Sequence, residues 1–505
     1  MTLATVLTRA QFGLEAPLVR VEVHCGAGLP QVSMVGLAET AVRESRDRVR
    51  AALAHCGFGF PPGRVTVNLA PADLPKEGGR YDLAIALAIL AATRQVPATG
   101  FERTEYYGEL SLSGELRAVR GLLAAAVQAT RDGRRLVVPA GNADEARVAR
   151  GARVAAAVSL AAVRDAHCGG AGLEFRSGGV LPAAVADGPD LADVRGQAAA
   201  RRALEIAAAG GHSLLFIGPP GAGKSMLAQR LPGVLPPLDD AAALECAMLH
   251  SLVRPLPPPS EWRRPPYRAP HHGASAAAVI GGGGRLRPGE ISLAHRGVLF
   301  LDELPEYRRD VLEALREPLE SGTVSLARAA WSGQFPARFQ LVAAMNPCPC
   351  GFAGDASGRC RCTLPVVRRY VARLSGPLID RIDMHVEVPR VEYSALSPEA
   401  AAPEPSAAVA ARVHAARERQ SARGVVNALL PAKALHAACG LGARERALLD
   451  SASRRLGFSA RACHRILRVA RSIADLAGAA CVGTGELSEA IGYRRLDREP
   501  AARTG

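Results

Sequence analysis

Lysine is almost absent from this chain, and so is any long apolar run. The longest stretch of purely apolar residues, Leu83 to Ala92, is about half of what a bilayer span needs, so no membrane-spanning helix and no membrane partner are expected. The N-terminus has no basic segment followed by an apolar core, and nothing there reads as a secretory signal. The expectation is a soluble, cytoplasmic protein. In that compartment the eleven cysteines do not form a disulfide framework. Seven of them are scattered singly and read as small core residues. No internal repeat is present. Of 62 Lys and Arg residues only Lys76, Lys224 and Lys433 are lysine, a bias that suits a GC-rich genome drifting toward arginine. Where lysine persists against that drift, a compact point charge can be the requirement.

At 505 residues the chain is too long for one core and implies about three domains. Its 48% hydrophobic content is ordinary for globular proteins. A net charge of +14 suits a polyanionic partner, most often nucleic acid; the other reading is charge that only aids solubility. The distribution favours a binding surface, because residues 405–505 carry 17 Lys and Arg against 8 Asp and Glu.

Composition divides the chain into three. Residues 1–180 alternate β-rich runs (Leu18–His24, Arg64–Leu69, Arg135–Pro139) with alanine-rich helical stretches (Thr40–Cys56, Asp82–Thr93, Leu122–Arg131), which predicts an α/β domain. A Gly/Pro/Ala stretch over 169–189 reads as a linker. Residues 190–395 hold strand–loop–helix units. A Pro/Ala/Glu-rich linker, Ser397 to Ser406, leads to residues 405–497, where spacing such as Ile466, Leu467, Ala470 and Ile473 predicts a small helical domain.

The apolar strand Ser213–Ile217 runs into Gly218, Pro219, Pro220, Gly221, Ala222, Gly223, Lys224 and Ser225, and a helical run opens at Met226. This is the GxxxxGK[ST] pattern in the strand–loop–helix setting it requires. Its glycines let backbone N–H groups face phosphate oxygens, with Lys224 for the β- and γ-phosphates and Ser225 for Mg²⁺. About 75 residues on, the apolar strand Gly297–Leu301 ends in Asp302, which suits water-mediated Mg²⁺ binding, and Glu303, which suits a general base. A third apolar strand, Phe339–Met345, ends in Asn346; its amide would orient the attacking water, or form an Asx-turn before Pro347. Arg381 lies between Asp380 and Asp383, either as a finger for a neighbouring subunit's γ-phosphate or as an internal ion pair with one of those acids.

These motifs resemble the AAA+ ATPases of the magnesium-chelatase-like branch, and within it the YifB/ComM family. The resemblance is carried by Val32–Glu44, Val67–Asp82, Ala269–Gly284, Leu301–Glu306, Ala344–Gly351, Ser375–Val388 and Ser459–Leu476, and so covers nearly the whole chain. It implies a P-loop AAA+ core, a parallel sheet with helices on both faces, preceded by a Lon-protease-like α/β domain and followed by a helical lid. It further implies ATP and Mg²⁺ as cofactors and a hexameric ring that acts on single-stranded or branched DNA. The activity implied is branch migration of recombination intermediates in natural transformation. By motif match Asn346 resembles sensor 1, Arg381 the trans arginine finger and Arg461 sensor 2. In a closed ring each arginine enters the next subunit's site.

The remaining cysteines, Cys348, Cys350, Cys360 and Cys362, form CxC–x9–CxC across a glycine-containing loop, a pattern that suits tetrahedral Zn²⁺. Reduced structural thiols and a redox-labile disulfide are the other readings. In the Lon-like domain the serine nucleophile would follow the Lys76–Gly79 turn, where Arg80 stands, and its lysine partner would fall near Val119, where there is none. Lacking both, the domain reads as a non-catalytic binding or assembly module. A hairpin over Thr323–Phe339 with Arg328, Trp331 and Arg338 is a candidate DNA-tracking element. A loop with His271, His272, Gly281–Gly284, Arg285 and Arg287 is a second; ordinary turns with solvated arginines are the alternative for both. Two rival functions stand beside the DNA motor: a chelatase-type subunit driving metal insertion or protein remodelling, and an ATP-dependent protease or unfoldase.

Overall fold

The computed structural model describes residues 2–36, 42, 44–179, 188–254, 256, 261–283, 287–328, 331–354, 358–392, 397 and 403–494. They fall into two compact units: one within Met1–Ala183, Asp240–Trp262 and Ala327–Gly333, the other within Ala184–Asp239, Arg263–Leu326 and Gln334–Gly505. Among the described residues no helix is long and apolar enough to cross a membrane.

Among the described residues the main sheet of the first unit has eight strands: β1 (Thr2–Arg9), β2 (Leu18–Gly26), β3 (Gln31–Val35), β4 (Arg64–Ala70), β5 (Thr104–Tyr106), β6 (Arg135–Pro139), β7 (Arg153–Ala157) and β8 (Arg176–Ser177). They lie in the order β8-β7-β6-β5-β1-β2-β4-β3. Alternation along β2 and β4 puts Val19, Val21, Val23, Val65, Val67 and Leu69 inside the core, as a half-buried antiparallel pair requires. The helix Asp82–Ala92 packs against β1 and β2. Its run of ten apolar residues therefore belongs to a helix buried almost all round.

Over 169–189 the sequence predicts a linker, and here the structure differs. Arg176–Ser177 closes the sheet edge by pairing antiparallel with β7 (Arg176↔Val154), while residues 180–187 lie outside the described residues. Arg80 is buried and donates to Gln11 Oε1 at 2.8 Å and to the Arg120 carbonyl at 2.5 Å. Val119 is clasped through both backbone groups by Asn142, at 2.8 Å each way. These contacts engage positions 80 and 119, the two at which the resemblance would have required a serine and a lysine.

In the second unit β9 (Leu214–Ile217), β10 (Tyr267–Arg268), β11 (Val298–Leu301), β14 (Gln340–Met345) and β15 (Met384–Glu387) form an all-parallel sheet, ordered β10-β11-β14-β9-β15. A separate ribbon, β12 (Thr323–Arg328) with β13 (Trp331–Pro336), is the expected hairpin. The five strands are nearly all apolar because both faces are covered. Phe216, Phe300 and Ala344 enter one core with the helices Ala198–Gly210 and Lys224–Arg230, while Leu215, Leu299 and Ala343 enter another with the helix Arg309–Ala314. This is the AAA+ architecture.

Among the described residues five α-helices follow: Ser406–Ser421, Ala432–Cys439, Ala443–Leu456, Ala460–Leu476 and Thr484–Gly492. Ile466, Leu467, Ala470 and Ile473 are buried as their spacing predicts, and their helix packs on Ala198–Gly210. Arg417 donates to the Ala208 carbonyl at 2.7 Å and Gln420 to that of Ala209 at 2.9 Å. Carbonyls that a helix end leaves unpaired are thus satisfied from the lid. Of the linker Ser397–Ser406, residues 398–402 lie outside the described residues, as do 495–497 at the end of the predicted helical domain.

Candidate nucleotide site

Strand register brings the nucleotide motifs together. Ile217 pairs with Met345 and Leu301 with Ala343, so Gly218, Asn346 and Asp302 all emerge at the carboxyl edge of the sheet. That edge, beside the strand where the order reverses, is where open parallel sheets bind ligands. A cleft of about 390 Å³ opens there, lined by Pro220–Met226, Asp302, Glu303, Met345 and Asn346. The volume lies within the usual range for small-molecule sites.

Gly223 caps the helix Lys224–Arg230 at φ +91°, a left-handed conformation that frees the N–H groups at the helix start to face the cleft. Lys224 is buried, and burial pushes its ammonium below its ordinary pKa while Asp302 and Glu303 pull it back up. It donates to the Gly218 carbonyl at 2.7 Å, the Pro219 carbonyl at 2.9 Å and Asn346 Oδ1 at 3.1 Å. The Ser225 hydroxyl donates to Asp302 Oδ2 at 2.6 Å. That juxtaposition of a hydroxyl and a carboxylate is an all-oxygen donor set of the kind that suits Mg²⁺.

Glu303 stands in the left-handed region at φ +52°, and its Oε2 lies 3.0 Å from His272 Nδ1. Sequence reasoning marked His272 only as part of a loop. Nothing in its spacing reveals the contact, which depends on β10 lying beside β11. Of that loop, Gly284 and Arg285 lie outside the described residues, while Arg287 is exposed and Gly281 bridges to Pro288. In the hairpin Arg338 is exposed; the side chains of Arg328 and Trp331 lie outside the described residues.

The four clustered cysteines follow β14 directly, and their sulfurs all lie within 4.8 Å of one another. Cys348 Sγ is 3.3 Å from Cys350 Sγ and 3.9 Å from Cys360 Sγ, and the last two are 3.7 Å apart. Bonds of zinc–thiolate length set at tetrahedral angles put sulfurs about 3.8 Å apart, so the four thiols fit that ion. Backbone N–H donors of Arg361 and Phe352 pull the Cys350 thiol down to about 6. The loop also touches the phosphate loop: a Cβ on Gly351 would stand 2.5 Å from Pro220 Cδ.

Arg381 and Arg461 do not line this cleft. They share a second pocket with Glu320, Asp380, His464, Arg465 and Arg468. Arg381 is paired, but with neither acid that flanks it in sequence: its Nη2 meets Glu320 Oε1 at 2.5 Å. Asp383 turns inward instead. It accepts from the Ser213 N–H and hydroxyl at 2.9 and 3.0 Å and pairs with Arg465, one helical turn beyond Arg461. The core's last strand thereby fixes the lid helix that carries Arg461.

Family models agree with this architecture. The model described as magnesium chelatase, subunit ChlI matches residues 190–396; those for subunit ChlI of Mg-chelatase and for the ChlI C-terminal region match 21–142 and 403–494. YifB of Escherichia coli (strain K12) is 48% identical over 500 residues, 99% of this chain and 98% of that protein. Competence protein ComM of Haemophilus influenzae is 47% identical over 504 residues, 99% and 98% of the two chains. Rv2897c of Mycobacterium tuberculosis is 44% identical over 505 residues, 98% of this chain and 99% of that one. With a phosphate loop, a paired-acid strand and an amide tip on one parallel sheet, and with relatives matched end to end, the chain belongs to the magnesium chelatase subunit ChlI family, in the YifB/ComM group.

Proposed function

We propose that this chain is an ATP-hydrolysing motor that assembles into a hexameric ring in the cytoplasm and moves DNA. In this reading it is a branch-migration helicase acting on recombination intermediates in natural transformation. The observation that carries the ATPase reading is the meeting of Lys224, Ser225, Asp302, Glu303 and Asn346 at one cleft. Lys224 exchanges its carbonyl partners for the β- and γ-phosphates. Ser225 and Asp302 would hold Mg²⁺, which when bound draws off charge developing on the phosphate oxygens. Glu303 takes the proton of the attacking water and Asn346 orients that water.

Ring assembly is supported by Arg381 and Arg461 sharing a pocket apart from their own chain's cleft. In a closed ring that pocket faces the neighbour's ATP, and Glu320 yields Arg381 to the γ-phosphate. A finger of this kind is worth about 10³–10⁵ in rate. The four cysteines would hold one Zn²⁺ and staple a loop against Pro220. The DNA assignment rests on the net charge of +14, the exposed arginines near the hairpin and glycine loop, and the competence protein among the relatives. A chelatase-type subunit that drives metal insertion or remodels a protein partner is the second reading, favoured by the match over 190–396. DNA-stimulated ATP hydrolysis separates the two: stimulation by single-stranded or branched DNA supports the motor, and its absence in an assembled, ATP-hydrolysing ring rejects it.

A further inference from the structure

The chain leaves the second unit after Asp239, gives Asp240–Trp262 to the first, and returns to the second at Arg263. By sequence this excursion lies inside the nucleotide-binding region. It is pinned at its root, where the Leu238 N–H donates to the Arg263 carbonyl at 2.7 Å. Both stems lead to the nucleotide site. One comes from the helix Lys224–Arg230 through the turn Leu231–Gly233. The other runs through Pro266, whose carbonyl accepts from the Val298 N–H at 2.7 Å, into β10 beside the strand that ends in Asp302.

Within the first unit the excursion is seated. Its helix, Asp240–Ser251, packs against the helix Leu122–Arg131. Ala247 and Trp262 are buried in one cluster with Leu122, Ala125 and Ala129, and Leu244 and Met248 pack on its margin. Small side chains on both helices let their axes come close. The Ser251 carbonyl, left unpaired by its own helix end, accepts from the Gly121 N–H at 2.9 Å. Gly121 caps Leu122–Arg131 at φ +67°, and a Cβ there would stand 2.7 Å from Gln11 Oε1 and 2.9 Å from Leu252 Cδ2. The residues just before it are held in turn: Arg80 donates to the Arg120 carbonyl, and Asn142 clasps Val119. Arg80 and Val119, which leave the unit without a protease's reactive groups, thus fix the turn that receives Ser251.

We propose that the first unit is the seat of an arm of the ATPase, and that ATP binding in the cleft is linked to the fit of Asp240–Ser251 in that seat. The arm's stems are bonded to each other, so they move together. One stem continues the helix that opens with Lys224, and the other enters the strand beside Asp302. The inference rests on the reading of the cleft as an ATP site. Linkage is reciprocal: whatever ATP does to the seat, the seat does to ATP affinity by the same factor.

The test uses the full-length chain and a fluorescent, non-hydrolysable ATP analogue. Ala247→Glu puts a charge into the apolar seat, whereas Ala241→Glu adds the same charge at an exposed position of the same helix. Amides of Leu122–Arg131 should exchange hydrogen about 10-fold faster in Ala247→Glu than in Ala241→Glu. In the parent the analogue should alter that exchange, and in Ala247→Glu it should not. Affinity for the analogue should shift about 5-fold or more in Ala247→Glu and stay at the parent's value in Ala241→Glu. Exchange over 122–131 that the analogue leaves unchanged in the parent overturns the link, and that measurement needs no variant to fold. Unchanged affinity in an Ala247→Glu chain whose seat has opened overturns it as well. A parent that binds no analogue refutes the reading of the cleft instead, and the contrast between the two variants still tests the seat.

Discussion

The Lys224 ammonium donates to Asn346 Oδ1 at 3.1 Å, joining the phosphate loop to the tip of a strand 122 positions later in the chain. In this state the lysine's donors face two loop carbonyls and that amide, a polar lining that phosphate oxygens can replace. Lys224→Ala should abolish measurable ATP binding. Glu303→Gln should bind ATP as the parent does and hydrolyse it about 10²–10⁴-fold more slowly. Equilibrium binding and single-turnover hydrolysis, measured on the same preparations, check both; normal turnover in Glu303→Gln removes the base.

Arg381→Ala should bind ATP normally and hydrolyse it about 10³-fold more slowly, because the finger acts on transition-state charge. Mixing decides whose site it serves. Lys224→Ala keeps its arginine and Arg381→Ala keeps its cleft, so mixed rings should recover part of the activity. A mixture as inactive as its components, with both assembled, means that Arg381 serves its own chain.

Elemental analysis should find one zinc per chain, and Cys348→Ser or Cys360→Ser should lose it. Gly351→Ala should keep the zinc and weaken ATP binding about 10-fold, because the added Cβ presses on Pro220 and strains a backbone held at φ +87°. Zinc-free protein with four titratable thiols contradicts the site. Unchanged ATP affinity in Gly351→Ala contradicts the contact.

His385 and Asp383 give the second unit an acid sensitivity. Burial holds His385 at about 3, with Arg494 adding to the effect and Asp383 opposing it, against 6.5 for the free imidazole. The folded chain therefore keeps this histidine neutral where the unfolded chain protonates it. Stability should fall as pH drops below 6.5, by about 1.4 kcal/mol per unit and about 2 kcal/mol by pH 5. Asp383 is buried, yet Arg465, His212 and the Ser213 N–H hold its carboxyl well below the ordinary range, so its contribution is lost further down, below about pH 4, with the same sign. Urea midpoints between pH 7 and 5 should shift for the parent and much less for His385→Phe. Equal shifts in both would place the titration elsewhere.

The local chemistry of the nucleotide site was legible because it is written in contiguous residues. Gly218–Ser225 must form a loop between strand and helix, and Asp302–Glu303 must end an apolar strand, wherever the rest of the chain lies. The inward face of Ala460–Leu476 was equally readable from its period, while the helix Asp82–Ala92 was readable from its alanine-rich composition and not from any period, because it is apolar all round. The linker over 169–189 was misread in part. Two residues suffice to pair with a sheet edge, and a composition rich in Gly and Ala carries no signal of that pairing.

The chain's own residues placed Gly218–Ser225, Asp302, Glu303 and Asn346 at the ends of apolar strands, while a parallel sheet covered on both faces was read from the family resemblance and is borne out by the strand pairing. The sequence by itself could not say which charges meet across the fold. The local readings for Arg381 were Asp380 and Asp383, yet the helix ahead of the hairpin supplies Glu320, and Asp383 goes to Arg465 on the lid. His272 reaches Glu303 only because β10 lies beside β11, which brings residues 31 positions apart to 3.0 Å. Ion pairs and hydrogen bonds depend on ångström distances in three dimensions, and sequence spacing sets those distances only within one helix or one strand.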